Sequence, residues 1–257
     1  MFIDSGDAKL YAVSSGATKG LTIVGIGGWI GSSELWAEPF SILSASWRTI
    51  AYDHRGSGAS VAPVESITFE NLVADLLRVL DACGVERCVL AAESAGALTA
   101  LAAAARYPQR VARLVIVDGM YHRGVDPASD PFLQGLRTAY GATLDRFVEL
   151  CVPEPDSAHL KRWGRQIVGR ADPAAAIALR VCASEVDIRE SLPGIRQPTL
   201  IIHGDGDVIV PIQQAHELAA LIPDSRLVVL EGAGHVPTVT RPAAIAQAMT
   251  NFLLERA

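Results

Sequence analysis

Short apolar runs recur along this chain at Leu21–Ile26, Arg48–Tyr52, Arg87–Ala92, Arg113–Asp118, Thr199–Ile202 and Arg226–Leu230. Runs of this length without polar alternation are what strands buried on both faces require. Between them lie segments with helical spacing. From Thr68 to Ala82, Leu72, Leu76 and Leu80 recur every fourth residue beside Val73 and Leu77, and Gly84 marks the stop. Ala95 to Tyr107 predicts a helix so poor in large side chains that it must pack tightly against a sheet, and Pro108 ends it. Strands alternating with helices predict an α/β fold with a doubly wound, mostly parallel sheet covered on both faces. Ahead of it, Phe2-Ile3-Asp4 and Lys9–Val13 flank the turn signal Ser5-Gly6-Asp7 and predict an opening hairpin.

The alternation stops at Tyr121. Through Leu192 the sequence is helical and irregular, punctuated by Pro127, Pro131, Pro153, Pro155 and Pro173. We expect residues 1–120 and 193–257 to form one core, with residues 121–192 inserted in it as a helical lid. In the insertion Leu160, Trp163 and Ile167 share one helix face that Lys161, Arg162 and Arg165 avoid. That apolar stripe either lines a pocket or seats the lid. The basic stretch from Lys161 to Arg170 reads as a solvated face in preference to an anion site.

The chain of 257 residues is 50% hydrophobic and 19% charged, enough apolar surface for a substantial core. A net charge of −6 offers no basic footprint, which argues against nucleic acid as a partner. Met1-Phe2-Ile3-Asp4-Ser5-Gly6-Asp7 lacks the basic and apolar regions of a signal peptide, and no apolar run reaches membrane-spanning length, so we expect a cytoplasmic protein away from membranes. Cys83, Cys88, Cys151 and Cys182 show no metal-ligand spacing and are expected to be reduced thiols. The loop Gly27-Gly28-Trp29-Ile30-Gly31-Ser32-Ser33 has neither a dinucleotide fingerprint nor the Lys-Ser/Thr of a P-loop. No cofactor and no metal are expected. The sequence is compatible with a homo-oligomer without setting the oligomeric state.

Doubly wound sheets bind ligands beyond the carboxyl ends of their strands, so the polar residues there are candidates for chemistry. Ser94 follows one predicted strand, Asp118 another, Asp205 and Asp207 a third, and His235 the last. A serine hydroxyl becomes a nucleophile when a neutral imidazole takes its proton, and a buried carboxylate orients that imidazole. Ser94, His235 and Asp207 are the candidate triad. Asp205, in an Asp-Gly turn, reads as a turn former, and Asp118 as a cap at the entry to the insertion. Ala92, Ala95 and Gly96 leave room for a sharp strand-to-helix turn around Ser94. Glu93 reads either as a buried partner behind that turn or as a polar group facing a pocket.

Over essentially its whole length the chain resembles the small, single-lid α/β-hydrolases. Ala92-Glu93-Ser94-Ala95-Gly96 matches the nucleophile elbow, Gly204–Pro211 the acid loop, and Gly234-His235-Val236-Pro237 the histidine loop. Asp53–Ser60 resembles the family's Asp-x-Arg-Gly-x-Gly-x-Ser segment, whose role is structural support near the oxyanion loop. The resemblance implies that the backbone N–H groups of Trp29 and Ala95 form the oxyanion hole. Two positions depart from the pattern: Gly27 stands where the family has histidine, and Ala92 where it has glycine. The function implied is hydrolysis of a small carboxylic ester or lactone through an acyl-enzyme. A carbon–carbon bond hydrolase acting on a small diketone or ring-cleavage product is the alternative, and a small-molecule receptor with a retained triad is another.

Overall fold

A computed structural model describes residues 1–17, 20–122 and 124–255. An opening hairpin of β1 (Phe2–Ser5) and β2 (Ala8–Ser15) leads to β3 (Thr22–Ile26), α1 (Ala37–Leu43) and β4 (Arg48–Tyr52). Then come α2 (Phe69–Ala82), β5 (Cys88–Glu93), α3 (Gly96–Arg106) and β6 (Val111–Val117). Four helices follow in succession: α4 (Pro131–Thr138), α5 (Tyr140–Cys151), α6 (Ala158–Val168) and α7 (Pro173–Glu185). The alternation resumes with β7 (Thr199–Gly204), α8 (Ile212–Leu221) and β8 (Ser225–Leu230), and ends with α9 (Pro237–Thr240) and α10 (Pro242–Leu254).

The strands form one eight-stranded sheet in the order β1-β2-β4-β3-β5-β6-β7-β8. The hairpin strands run antiparallel, and every pairing from β4 through β3, β5, β6 and β7 to β8 is parallel. Parallel pairing requires crossovers, and these place apolar cores on both faces. One core gathers Val24, Leu76, Leu80, Leu90, Leu101 and Leu218; the other gathers Trp36, Val89, Val115, Ile202, Met249 and Phe252. Alternate residues of β5 therefore point to opposite cores.

Local chemistry sets the helix boundaries. Thr68 Oγ1 accepts from Asn71 N at 3.2 Å to cap α2, and Gly84, at φ +66°, lets the chain turn away after it. Pro131 and Pro173 occupy first-turn positions of α4 and α7, where the missing N–H costs nothing, and Asp130 and Asp172 cap those helices. Two of the prolines that break the sheet rhythm thus open α-helices. Gly96 is imposed by close packing: a Cβ there would lie 2.4 Å from Gly27 O.

Two features differ from the sequence expectation. β7 continues through Gly204, so His203 lies within the sheet. β8 is only half-buried, because it is an edge strand. The closing helical segment is two helices, since Arg241 adopts φ −137° ahead of Pro242. The cysteines Cys83, Cys88, Cys151 and Cys182 are free thiols. Among the described residues, no helix is long and apolar enough to cross a membrane.

Candidate active site

Ser94 sits between β5 and α3 with φ +51°, a left-handed conformation that costs a non-glycine residue about 1–3 kcal/mol. Backbone bonds hold it there: Ser94 N donates to Val117 O at 3.0 Å, and Ser94 O accepts from Met120 N at 3.3 Å. The turn aims the side chain at the histidine loop. Ser94 Oγ lies 2.9 Å from His235 Nε2, and His235 Nδ1 lies 2.7 Å from Asp207 Oδ2. Asp207 accepts only, so the hydrogen-bond pattern puts the imidazole proton on Nδ1 and leaves Nε2 to accept from the serine. Asp207 is oriented in turn by its other oxygen, which accepts from Ile209 N at 2.7 Å and Val210 N at 3.0 Å. All three residues are buried.

Burial works against a charged His235, but the adjacent Asp207, by charge and hydrogen bond, and then Glu93, raise its pKa above the usual imidazole value. An arrangement of this kind abstracts a proton from serine and stabilises the resulting imidazolium.

The other aspartates have different partners. Asp205 Oδ1 accepts from Gly232 N at 2.6 Å, tying the acid loop to the histidine loop instead of closing a local turn. Asp118 Oδ1 accepts from Gly204 N at 2.8 Å, bracing β6 against β7 instead of capping the insertion. Burial, then the charge of Asp207, pushes the Asp118 carboxyl well above the carboxylate range. His203 stands between the two acids, with Nδ1 3.5 Å from Asp118 Oδ1 and Nε2 3.6 Å from Asp207 Oδ2. Ligand atoms of Asp118, His203 and Asp207 lie within 4.8 Å of one another, close enough for a cation. Asp207 is already committed through both oxygens, however, and His203 Nε2 donates to Val210 O at 2.8 Å. The cluster is therefore a poor metal site.

The loop from Gly27 to Ser33 passes beside the serine, and a Cβ on Gly28 would come within 3.1 Å of Ser94 Cβ. Among the described residues, no hydrogen bond engages the Trp29 or Ala95 backbone N–H. The brace that Gly27 cannot supply comes from another segment: His54 Nε2 is 3.0 Å from Gly28 O. Asp53 steadies the same loop by accepting from Ser33 N at 2.6 Å and from Ala59 N at 2.7 Å. The Trp29 indole donates to Ala176 O of α7 at 2.8 Å and packs edge-on against Phe132 and Phe147.

Ser94 and His235 open into a cavity with about 630 Å³ of empty space, part of it continuous with solvent. Its walls are apolar, drawn mainly from Trp29, Phe147 and Val148, and from Leu160, Trp163 and Ile167 of α6. The apolar stripe of α6 faces this cavity. The cations beside it turn elsewhere, Lys161 to Glu149 at 2.8 Å and Arg165 to Asp145 at 3.0 Å, while Arg170 pairs with Glu34.

Sequence reasoning missed His54, His203, Thr238, and two contacts from Cys151 and Glu154, at and just after the end of α5. His235 N donates to Cys151 O at 2.9 Å, and Glu154 Oε1 accepts from Gly234 N at 2.9 Å. The histidine loop is thus held from the insertion side. Glu93 is fully buried behind the elbow, where its Oε1 accepts from Thr238 Oγ1 at 3.0 Å.

Sheet, elbow and cavity together define a hydrolase of the doubly wound α/β class. A family model described as the alpha/beta hydrolase fold matches residues 22–163 and 173–242, and the chain belongs to that family. It is 30% identical over 260 residues to RutD of Caulobacter sp., a carbamate hydrolase by name, covering 96% of each chain. It is also 30% identical over 258 residues to the pimeloyl-[acyl-carrier protein] methyl ester esterase of Aliivibrio salmonicida, covering 95% of this chain and 96% of that one. Among solved structures, the enol-lactonase of Burkholderia xenovorans superposes with a TM-score of 0.92 at 26% identity, covering 99% of this chain and 100% of the other.

Proposed function

We propose that this protein hydrolyses carboxylic esters or lactones with an uncharged, apolar acyl part, using Ser94 as nucleophile, His235 as general base and acid, and Asp207 as the orienting carboxylate. The observation that carries this reading is the continuous hydrogen-bonded line from Ser94 Oγ through His235 to Asp207 at the mouth of an apolar cavity. Ser94 Oγ attacks the acyl carbon while His235 Nε2 takes its proton. The tetrahedral oxyanion receives hydrogen bonds from the Trp29 and Ala95 N–H groups. His235 then returns the proton to the departing alkoxide, leaving an ester on Ser94. Water, deprotonated by His235, attacks that ester; the acid product leaves and Ser94 regains its proton.

Residues 121–192 act as a lid that excludes water and supplies the acyl pocket. Cleavage of a carbon–carbon bond in a small diketone or an anionic ring-cleavage product is the weaker reading, because Lys161 and Arg165 are paired with Glu149 and Asp145, and Arg170 with Glu34, which leaves these cations already matched by acids. A receptor role is disfavoured by the intact line of hydrogen bonds. With a p-nitrophenyl ester, Ser94→Ala should lower kcat by about 10⁴-fold or more. Near-full activity in that variant would overturn the assignment.

A further inference from the structure

The residue immediately before the nucleophile and a residue three positions after the base are joined by a hydrogen bond. Glu93 Oε1 accepts from Thr238 Oγ1 at 3.0 Å, and both residues are 0% exposed. Glu93 is the last residue of β5, and Thr238 lies in the short helix α9 directly after the histidine loop. No covalent path shorter than the chain between them links these loops. The bond therefore bears directly on whether Ser94 Oγ and His235 Nε2 stay 2.9 Å apart.

The second carboxylate oxygen, Oε2, is buried without a hydrogen-bond partner. A lone packing bond would be served as well by glutamine, with no buried charge to accommodate. The ionisable groups whose charge couples to Glu93 are His235 from the histidine loop, Asp207 from the acid loop, Asp118 just after β6 and Cys151 from α5. His235 is the one that gains a positive charge during acyl transfer.

We propose that Glu93 is a positioning residue for the reaction, a role that rests on the acyl-transfer reading above: its bond to Thr238 sets the distance between nucleophile and base, and its carboxylate favours the imidazolium of His235. Geometry and charge are separable by substitution. Thr238→Val removes the hydroxyl and keeps the shape. Thr238→Ser keeps the hydroxyl and removes a methyl. Glu93→Gln keeps an acceptor for Thr238 and removes the charge.

The test is the rate at which a fluorophosphonate probe labels Ser94 in the full chain, measured across pH. Thr238→Val should label about tenfold more slowly than wild type, the loss expected when one buried hydrogen-bond partner is removed, and Thr238→Ser should recover most of that rate. Glu93→Gln should shift the acid limb of the labelling profile to lower pH, because His235 then loses a negative neighbour and gives up its proton more readily. Equal losses in Thr238→Val and Thr238→Ser would reduce Thr238 to packing and overturn the positioning role. An unmoved acid limb in Glu93→Gln would overturn the charge role. Wild type that fails to label at all would instead overturn the acyl-transfer reading, and the positioning role with it.

Discussion

At the scale of single residues, the environments of the aspartates separate their roles. Asp207 gives His235 its tautomer and its raised pKa, so Asp207→Asn should lower kcat on an ester by about 10⁴-fold, the cost of presenting the wrong imidazole tautomer. Burial raises the Asp118 carboxyl and favours its neutral form, so the neutral amide of Asp118→Asn should keep kcat within about tenfold of wild type. Equal losses in the two variants would show that both acids act on the histidine. Glu93 gives a prediction for stability. Burial pushes its carboxyl up to about 7, a folded value above the ordinary one, so its contribution to stability is intact at low pH and is lost as pH rises through that value. Glu93→Gln should therefore melt higher than wild type at about pH 8, and the gap should close by about pH 5 in thermal unfolding scans. A gap independent of pH would mean that Glu93 titrates alike in the folded and unfolded chain, contradicting the raised folded value. That Ser94, Asp207 and His235 would meet was legible in the sequence because each follows a predicted strand. The partners of Glu93, His54 and Glu154 were not, because each bond joins segments that meet only once the loops have docked.

At the scale of elements, α6 turns a sequence pattern into a pocket wall. The spacing of Leu160, Trp163 and Ile167 announced one apolar face, and docking over the strand ends gives that face the cavity above Ser94. Which way it would face was not legible, since an apolar stripe serves equally well to seat a helix or to line a pocket. Ion pairs from Lys161 and Arg165 to Glu149 and Asp145 of α5 hold the opposite side. Trp163→Ala should deepen the cavity, so the kcat/KM ratio of p-nitrophenyl octanoate to butanoate should rise on the order of tenfold over wild type. An unchanged ratio would mean that the acyl chain lies elsewhere. The closing helical segment, residues 237–254, is not continuous. Its interruption ahead of Pro242 separates α9, which carries Thr238, from α10, which packs on α1 and the sheet.

At the scale of the molecule, a parallel sheet with its crossovers brings residues distant in sequence to one edge. Ser94 and His235 are separated by 141 positions, yet they share a hydrogen bond because β5 and β8 end on the same side. That convergence was legible from strand order alone, whereas the insertion's hold on the histidine loop, through Cys151 O and Glu154, required the folded chain. The central claim is that Ser94 carries the acyl group between the two halves of the reaction. The most direct measurement is mass spectrometry of the protein acid-quenched during turnover of a p-nitrophenyl ester. An added acyl mass on the peptide containing Ser94, absent in Ser94→Ala, is the predicted result. Turnover with no acyl adduct, or with the adduct on another residue, would contradict it.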